Sequence, residues 1–270
     1  MPEGPETHYI ADRLRQVLAG KPLTVVQFSL PELKRYEMRL KGRSIISVEA
    51  RGKALLTGFD NALTLYTHSQ LLGYWDFGET TPPDPPTGSP RVFLASATSS
   101  AALHIAPKVE IWKSREIESH PFLAKLGPDV LDPAVTADDF VAQLKHPRFA
   151  RRKLAALLLQ QEFAAGMGNY LRSEVLYAAR LAPLRRVASL DKRETRALAK
   201  ALLSVSRRSY RSKFKGPLPD SGKDYLAQTS RTFRFKVYER EGLPCPSCDG
   251  TVVLERLASR RLYWCPHCQR

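Results

Sequence analysis

The chain closes on Cys245-Pro246-Ser247-Cys248 and, after 16 further residues, Cys265-Pro266-His267-Cys268. Two hairpin-joined Cys-x2-Cys pairs offer four thiolates to a tetrahedral ion that prefers Zn–S bonds of about 2.3 Å. Between them the residues alternate as two short strands, Thr251–Arg256 and Arg261–Trp264, around a turn at Leu257–Arg260. A redox pair is the competing reading of one Cys-x2-Cys, and it does not explain why there are two. One structural Zn2+ on Cys245, Cys248, Cys265 and Cys268 is therefore expected, with His267 a non-ligand because four cysteines saturate the metal. Such a closed site does no chemistry; it folds a hairpin too small to bury a core alone. Arg260 and Arg261 fall at or beside the hairpin tip, where a guanidinium forks well onto a phosphate.

Upstream lies Gly166-Met167-Gly168-Asn169-Tyr170, a tight glycine turn between two expected helices, with Asn169 read as the cap of the second. A helix N-terminus presents free N–H groups and a positive dipole end, a natural phosphate seat. An ordinary helix connection is the plainer reading. The flanking Arg148, Arg151, Arg152 and Lys153 tip the balance modestly toward phosphate.

Charge agrees. Of 42 Lys plus Arg and 27 Asp plus Glu, residues 1–130 hold 15 and 14, and residues 131–270 hold 27 and 13. The net charge of +15 thus lies almost wholly in the second half, the footprint of a phosphate-backbone binder, with an anionic membrane surface the lesser competitor. No run approaches the roughly 18 apolar residues of a membrane span. The opening Pro2-Glu3-Gly4-Pro5-Glu6 lacks the apolar core of a secretory signal. A cytoplasmic protein, nucleoid-associated through DNA, is expected, with its thiols kept reduced.

An amphipathic helix is expected over 6–19, with Ile10, Leu14, Val17 and Leu18 on one face. Strand patterns follow at 23–30, 44–50, 53–59, 62–67, 71–77, 91–96, 101–106 and 109–113, with a proline-rich loop at 79–90. Thereafter the texture is helical. A Thr136/Asp139 capping box opens one helix, Arg151–Phe163 forms another, and Asn169 opens the next. A further helix spans roughly 189–206, then a mobile loop at 207–230 and a strand at 231–238. The pattern makes an α+β fold of three parts. They are a β-sandwich-like domain with a leading helix (1–120), a helical domain (121–230) and the finger (231–270). His8, His68, His104, His120 and His146 read as packing or surface residues, and Trp75, Trp112 and Trp264 as packing.

The N-terminal Pro-Glu-Gly-Pro-Glu, the Gly-Met-Gly-Asn-Tyr-Leu-Arg-Ser-Glu segment and the four-cysteine finger together resemble the formamidopyrimidine-DNA glycosylase/endonuclease VIII family, along the whole chain and in order. Gly4 stands where the purine-type branch has leucine, so the chain resembles the endonuclease VIII branch. The resemblance implies a helix-two-turn-helix domain and double-stranded DNA, carrying a damaged base or abasic site, held between the domains. It implies a bifunctional glycosylase/AP lyase that flips out oxidised pyrimidines and cleaves the strand by β,δ-elimination, acting as a monomer.

Removal of Met1 exposes Pro2, a secondary amine whose attack on a sugar carbon gives an iminium directly. By the resemblance, Pro2 is the Schiff-base nucleophile and Glu3 the general acid, held protonated in a partly desolvated pocket. Glu6 and Glu174 take supporting roles, although Glu6 equally suits a first helix turn. Lys53 is a proton donor and phosphate contact, and Arg260 the finger arginine on the lesion phosphates. A flipped nucleotide leaves a hole. Gln70, Leu71 and Leu72 match the void-filling wedge, Leu72 replacing a tyrosine common there. Lys125 stands where an arginine phosphate contact is usual, and Asn169 is a phosphate contact. The competing readings are a non-enzymatic zinc-finger DNA-binding protein and, within the enzyme class, 8-oxoguanine specificity.

Overall fold

A computed structural model describes residues 2–79, 88–214, 225–257 and 260–270, with backbone alone at 225–228. Among the described residues two compact units emerge, one of Pro2, Glu6–Ala124 and 225–228, the other of Glu3–Pro5, Lys125–Phe214 and Thr229–Arg270.

In the first unit, α1 (Gly4–Leu18) precedes eight strands: β1 (Val25–Phe28), β2 (Ile45–Arg51), β3 (Ala54–Phe59), β4 (Leu63–His68), β5 (Tyr74–Gly78), β6 (Val92–Ala95), β7 (Ser100–His104) and β8 (Lys108–Lys113). All eight expected strands are present. A short helix, α2 (Glu37–Leu40), follows a 3-10 turn at Pro31–Tyr36. The strands form two antiparallel sheets, β1-β6-β7-β5 and β2-β3-β4-β8. Strand alternation sends Val48, Leu55, Phe59, Leu63 and Leu65 inward, where they meet Val26, Phe28, Val92, Leu94 and Leu103 of the other sheet. The Ile10, Leu14, Val17 and Leu18 face of α1 completes this core. Each such side chain contributes roughly 1.5–3 kcal/mol on burial.

The other face of β4 and β8 is polar. Tyr66 pairs with Glu110, and His68 with Lys108, across the ladder. His120 stacks on Tyr66 at 4.0 Å and sets its Nε2 3.4 Å from Glu110. His120 and the edge-on Phe122, 5.3 Å from the His68 ring, thus cover part of a sheet face that would otherwise meet water.

In the second unit, α3 (Ala137–Lys145) starts at the expected Thr136/Asp139 capping box. Then come α4 (Leu154–Leu157), α5 (Asn169–Ala179), α6 (Lys192–Ser212), the part of α7 (Tyr225–Thr232) from Thr229 on, and the hairpin β9 (Val253–Leu257) with β10 (Arg260–Trp264).

Four local expectations are corrected. The helix at Arg151–Phe163 is only Leu154–Leu157. Beyond it the Gln161 side chain donates to the carbonyls of Leu159 and Met167 and accepts from Gly166, competing with a helical ladder. The residue flanking the α5 start is Gly168, with Asn169 the first helical residue. Residues 207–212 continue α6, and 225–232 form α7, in place of a loop over 207–230; residues 215–224 lie outside the described set, as do 80–87 of the proline-rich loop. No strand forms at 231–238. The amides of Lys236, Val237 and Tyr238 instead donate to the Glu174 carboxylate at 2.9–3.0 Å, which replaces a ladder partner.

Candidate active site

Helix α5 is buried along most of its length, Tyr170 to Leu176, so each polar group on it needs a partner. Its first free amides find one far away in sequence. The Glu3 carboxylate, 4% exposed, accepts from Tyr170 N–H at 2.8 Å and from Leu171 N–H at 3.1 Å. Two donors at the positive end of a helix suit an anion. Gly168 makes the approach possible, because a Cβ there would overlap the Glu3 carboxyl carbon. The neighbouring Gly4 donates its N–H to Gly166 O at 2.8 Å, and a Cβ on Gly4 would stand 3.1 Å from Gly166 Cα. A leucine side chain at position 4 would have to displace that backbone, a physical reason for the glycine.

Arg172, 1% exposed, is the centre of this cluster. Its guanidinium donates to Asn169 Oδ1 and to the carbonyl of Arg261, both at 2.7 Å, and to Ala155 O at 3.3 Å. One side chain thereby ties the glycine turn to the finger hairpin. Burial and the nearby Arg260 cation lower its pKa to about 10, against the pull of Glu3. Asn169 also hydrogen-bonds the buried Tyr238 hydroxyl. Arg260 is exposed at the start of β10, in register with Leu257. Glu174 is buried, and loss of water raises its pKa against three backbone donors and Arg208. Lys125 is exposed at the end of a 3-10 turn.

In the first unit, Pro2 is buried, and Glu6 lies buried in the first turn of α1. Lys53, 8% exposed, occupies the turn between β2 and β3. Its cation reaches His68 at the end of β4: burial first, then Lys53, pushes the His68 pKa down from 6.5 to about 4. After His68 the chain turns through Gln70, whose φ is +49°, and closes with Gly73 N–H on Ser69 O at 2.9 Å. Leu71 and Leu72 stand at the tip, 72% and 69% exposed, where burial would ordinarily be expected of leucine.

In the finger the four Sγ atoms lie within 4.8 Å of one another, with three pairs at 3.5, 3.5 and 3.6 Å. Tetrahedral zinc with 2.3 Å bonds sets sulfurs roughly 3.8 Å apart, whereas a disulfide needs about 2.05 Å. The donor set fits zinc. Tyr177, in the last turn of α5, places its hydroxyl 3.5 Å from Cys245 Sγ and donates to Ser247 Oγ at 2.6 Å. Gln269 accepts from Cys265 N–H and donates to Leu181 O.

The sequence placed His68 among packing or surface residues and marked no role for Arg172, Tyr177 or Gln269. Arg172 left one signal: a charge three residues after Asn169, between the apolar Leu171 and the small Ser173. The others left none.

The family models that match this fold define a zinc-finger DNA glycosylase with a helix-two-turn-helix domain. The Formamidopyrimidine-DNA glycosylase N-terminal domain matches residues 1–106, the Formamidopyrimidine-DNA glycosylase H2TH domain 126–216, and the zinc finger found in FPG and IleRS 242–270. Relatives named Endonuclease 8 from Salmonella paratyphi B and Salmonella enteritidis PT4 are each 42% identical over 270 residues, covering 100% of both chains. Solved structures of Lactococcus lactis Fpg share the fold. One, in complex with an abasic site containing DNA, has a TM-score of 0.82 at 18% identity, over 99% of each chain. Another, with an oxidized pyrimidine containing DNA, reaches 0.83 at 19%, over 100% of each. The chain belongs to the formamidopyrimidine-DNA glycosylase/endonuclease VIII family of DNA glycosylases and AP lyases, which repair damaged bases. Among the described residues no helix is long and apolar enough to cross a membrane.

Proposed function

We propose that this enzyme excises oxidised pyrimidines from duplex DNA through a Schiff base at Pro2 and then cleaves the strand by β,δ-elimination, acting as a monomer. The observation that carries the reading is the Glu3 carboxylate. It is fixed on two amides of α5 and is the residue next to Pro2 in the chain.

With Met1 removed, the Pro2 nitrogen attacks C1′ of the extruded nucleotide. The glycosidic C1′–N bond breaks, and the base leaves carrying the proton that the Pro2 amine sheds on bonding to C1′. Glu3 delivers a proton to O4′ as the ring opens, and the nitrogen lone pair closes the iminium. Loss of a C2′ proton then expels the 3′ phosphate, and a second elimination expels the 5′ phosphate. Glu3 donates from its protonated form, and the two α5 amides hold the carboxyl in place while it does so. Lys53 supplies a cation and a proton source beside the eliminations, and Glu6 orients the N-terminal turn.

Asn169, Arg260 and Lys125 grip phosphates around the lesion; Glu174 holds residues 236–238 in place. Gln70, Leu71 and Leu72 enter the vacated stack, where apolar side chains prop the helix open and an amide meets the orphaned base edge. Zinc would be held by Cys245, Cys248, Cys265 and Cys268 and would supply structure alone, because four thiolates close its coordination. The relatives named Endonuclease 8 and the glycine at position 4 support the pyrimidine assignment. Duplexes carrying thymine glycol, dihydrouracil or 8-oxoguanine test it. Faster excision of the two pyrimidines is expected, and faster release of 8-oxoguanine overturns the assignment.

A further inference from the structure

We infer that His68 is a positioning residue for the wedge: its Nδ1 holds the backbone of Gln70 in the left-handed turn that presents Leu71 and Leu72. The inference rests on the proposed reading of residues 70–72 as the wedge and adds the group that fixes its shape.

The geometry is local and specific. Gln70 N–H donates to His68 Nδ1 at 3.1 Å. Gln70 has a Cβ yet sits at φ +49°, a region that L side chains enter only where surrounding contacts over-determine it. The second restraint on the loop is the Gly73 N–H to Ser69 O bond at 2.9 Å. Together they hold two leucines, 72% and 69% exposed, at a tip that hydrophobic burial alone would collapse.

His68 is itself anchored. It ends β4 in register with Lys108, and its ring meets Phe122 edge-on at 5.3 Å and 87°. Burial and the Lys53 cation favour the neutral imidazole, and the ring accepts from Gln70 N–H through Nδ1. The Lys53 charge and the loop amide thus both act on one ring.

A histidine accepting from the amide two residues on does what an Asn side chain does in an Asx turn. That equivalence supplies the test. His68→Ala, His68→Asn and Leu71→Ala are compared with the parent enzyme on two substrates. One is a duplex containing dihydrouracil, where extrusion requires a wedge; the other is a single-stranded oligonucleotide with an abasic site, which has no stack to hold open.

His68→Ala is expected to slow duplex excision about tenfold, the scale of one lost hydrogen bond, while cleavage of the single strand stays within about twofold. His68→Asn should recover most of the duplex rate. Circular dichroism and zinc content establish that each variant is folded. Equal loss on both substrates assigns His68 to the chemistry beside Lys53 and overturns the proposal, as does an unaffected His68→Ala or a failure of His68→Asn to restore the rate. Leu71→Ala separates the two readings. If it leaves duplex excision untouched, the wedge assignment falls; if it slows excision while His68→Ala does not, only the role of His68 falls.

Discussion

The Glu3 carboxylate caps α5 by accepting from Tyr170 N–H at 2.8 Å, across 167 positions of sequence. Helix starts are ordinarily capped by a side chain one to three residues away; here the cap comes from the chain's N-terminal motif. A general acid must be held still, and a helix N-terminus must have its amides satisfied. One carboxylate serves both needs.

Glu3→Gln keeps one accepting oxygen but turns an NH2 group toward the second amide. Stability should fall by about 1–2 kcal/mol, read as a lower melting temperature, with excision lost as well. Unchanged stability would mean that the cap is energetically idle.

The Arg260 side chain is exposed at the start of β10, so its removal takes little from the core. Arg260→Ala should therefore leave stability unchanged while strand cleavage at an abasic site slows. Wild-type rates of both eliminations would show that a different finger residue grips the lesion phosphates.

The hydroxyl of Tyr177 links the last turn of α5 to Cys245 and Ser247. Partners of this kind typically carry 10–100-fold in metal affinity. Tyr177→Phe should accelerate zinc loss to a chelator by about tenfold, followed with a colorimetric zinc indicator. Zinc removal from the parent enzyme should loosen the hairpin and weaken DNA binding.

His68 gives a pH signature. Its folded pKa of about 4 lies below the ordinary 6.5, so the unfolded chain binds more protons between those values. Stability attributable to this group is complete above pH 6.5 and is lost as pH falls toward 4, a decline on the order of 2 kcal/mol. Glu194, held near 2 by the Arg185 guanidinium, acts in a lower window, from 4.5 downward. Denaturant titrations of His68→Asn should show a flatter profile between pH 6.5 and 4. An identical profile would place the shift elsewhere.

Wherever local chemistry decides, the sequence was readable. The strands announced themselves by alternation and turns, α3 by its Thr136/Asp139 box, and the zinc site by spacing that only a tetrahedral ion explains. Long-range partners were hidden. Nothing near residues 231–238 says that the amides of 236–238 end on Glu174, 62 to 64 positions earlier, so the β-pattern suggested a strand. Gln161 broke a helix whose composition favoured one. Arg172 carries a charge on a buried helix, but its destination, the Arg261 carbonyl, follows only once the finger has folded. The candidate residues were proposed from the family motifs alone. The side chains that support them were not, because support is a property of the assembled core.

Reductive trapping tests the proposed covalent chemistry most directly. Purified enzyme is incubated with borohydride and a duplex containing an abasic site, and the adduct is digested and mapped by mass spectrometry. The sugar is expected on the nitrogen of Pro2, in a peptide from which Met1 is absent, and Pro2→Gly or an N-terminal tag should suppress it. An adduct on Lys53 or another lysine, with Met1 still attached, would contradict the account.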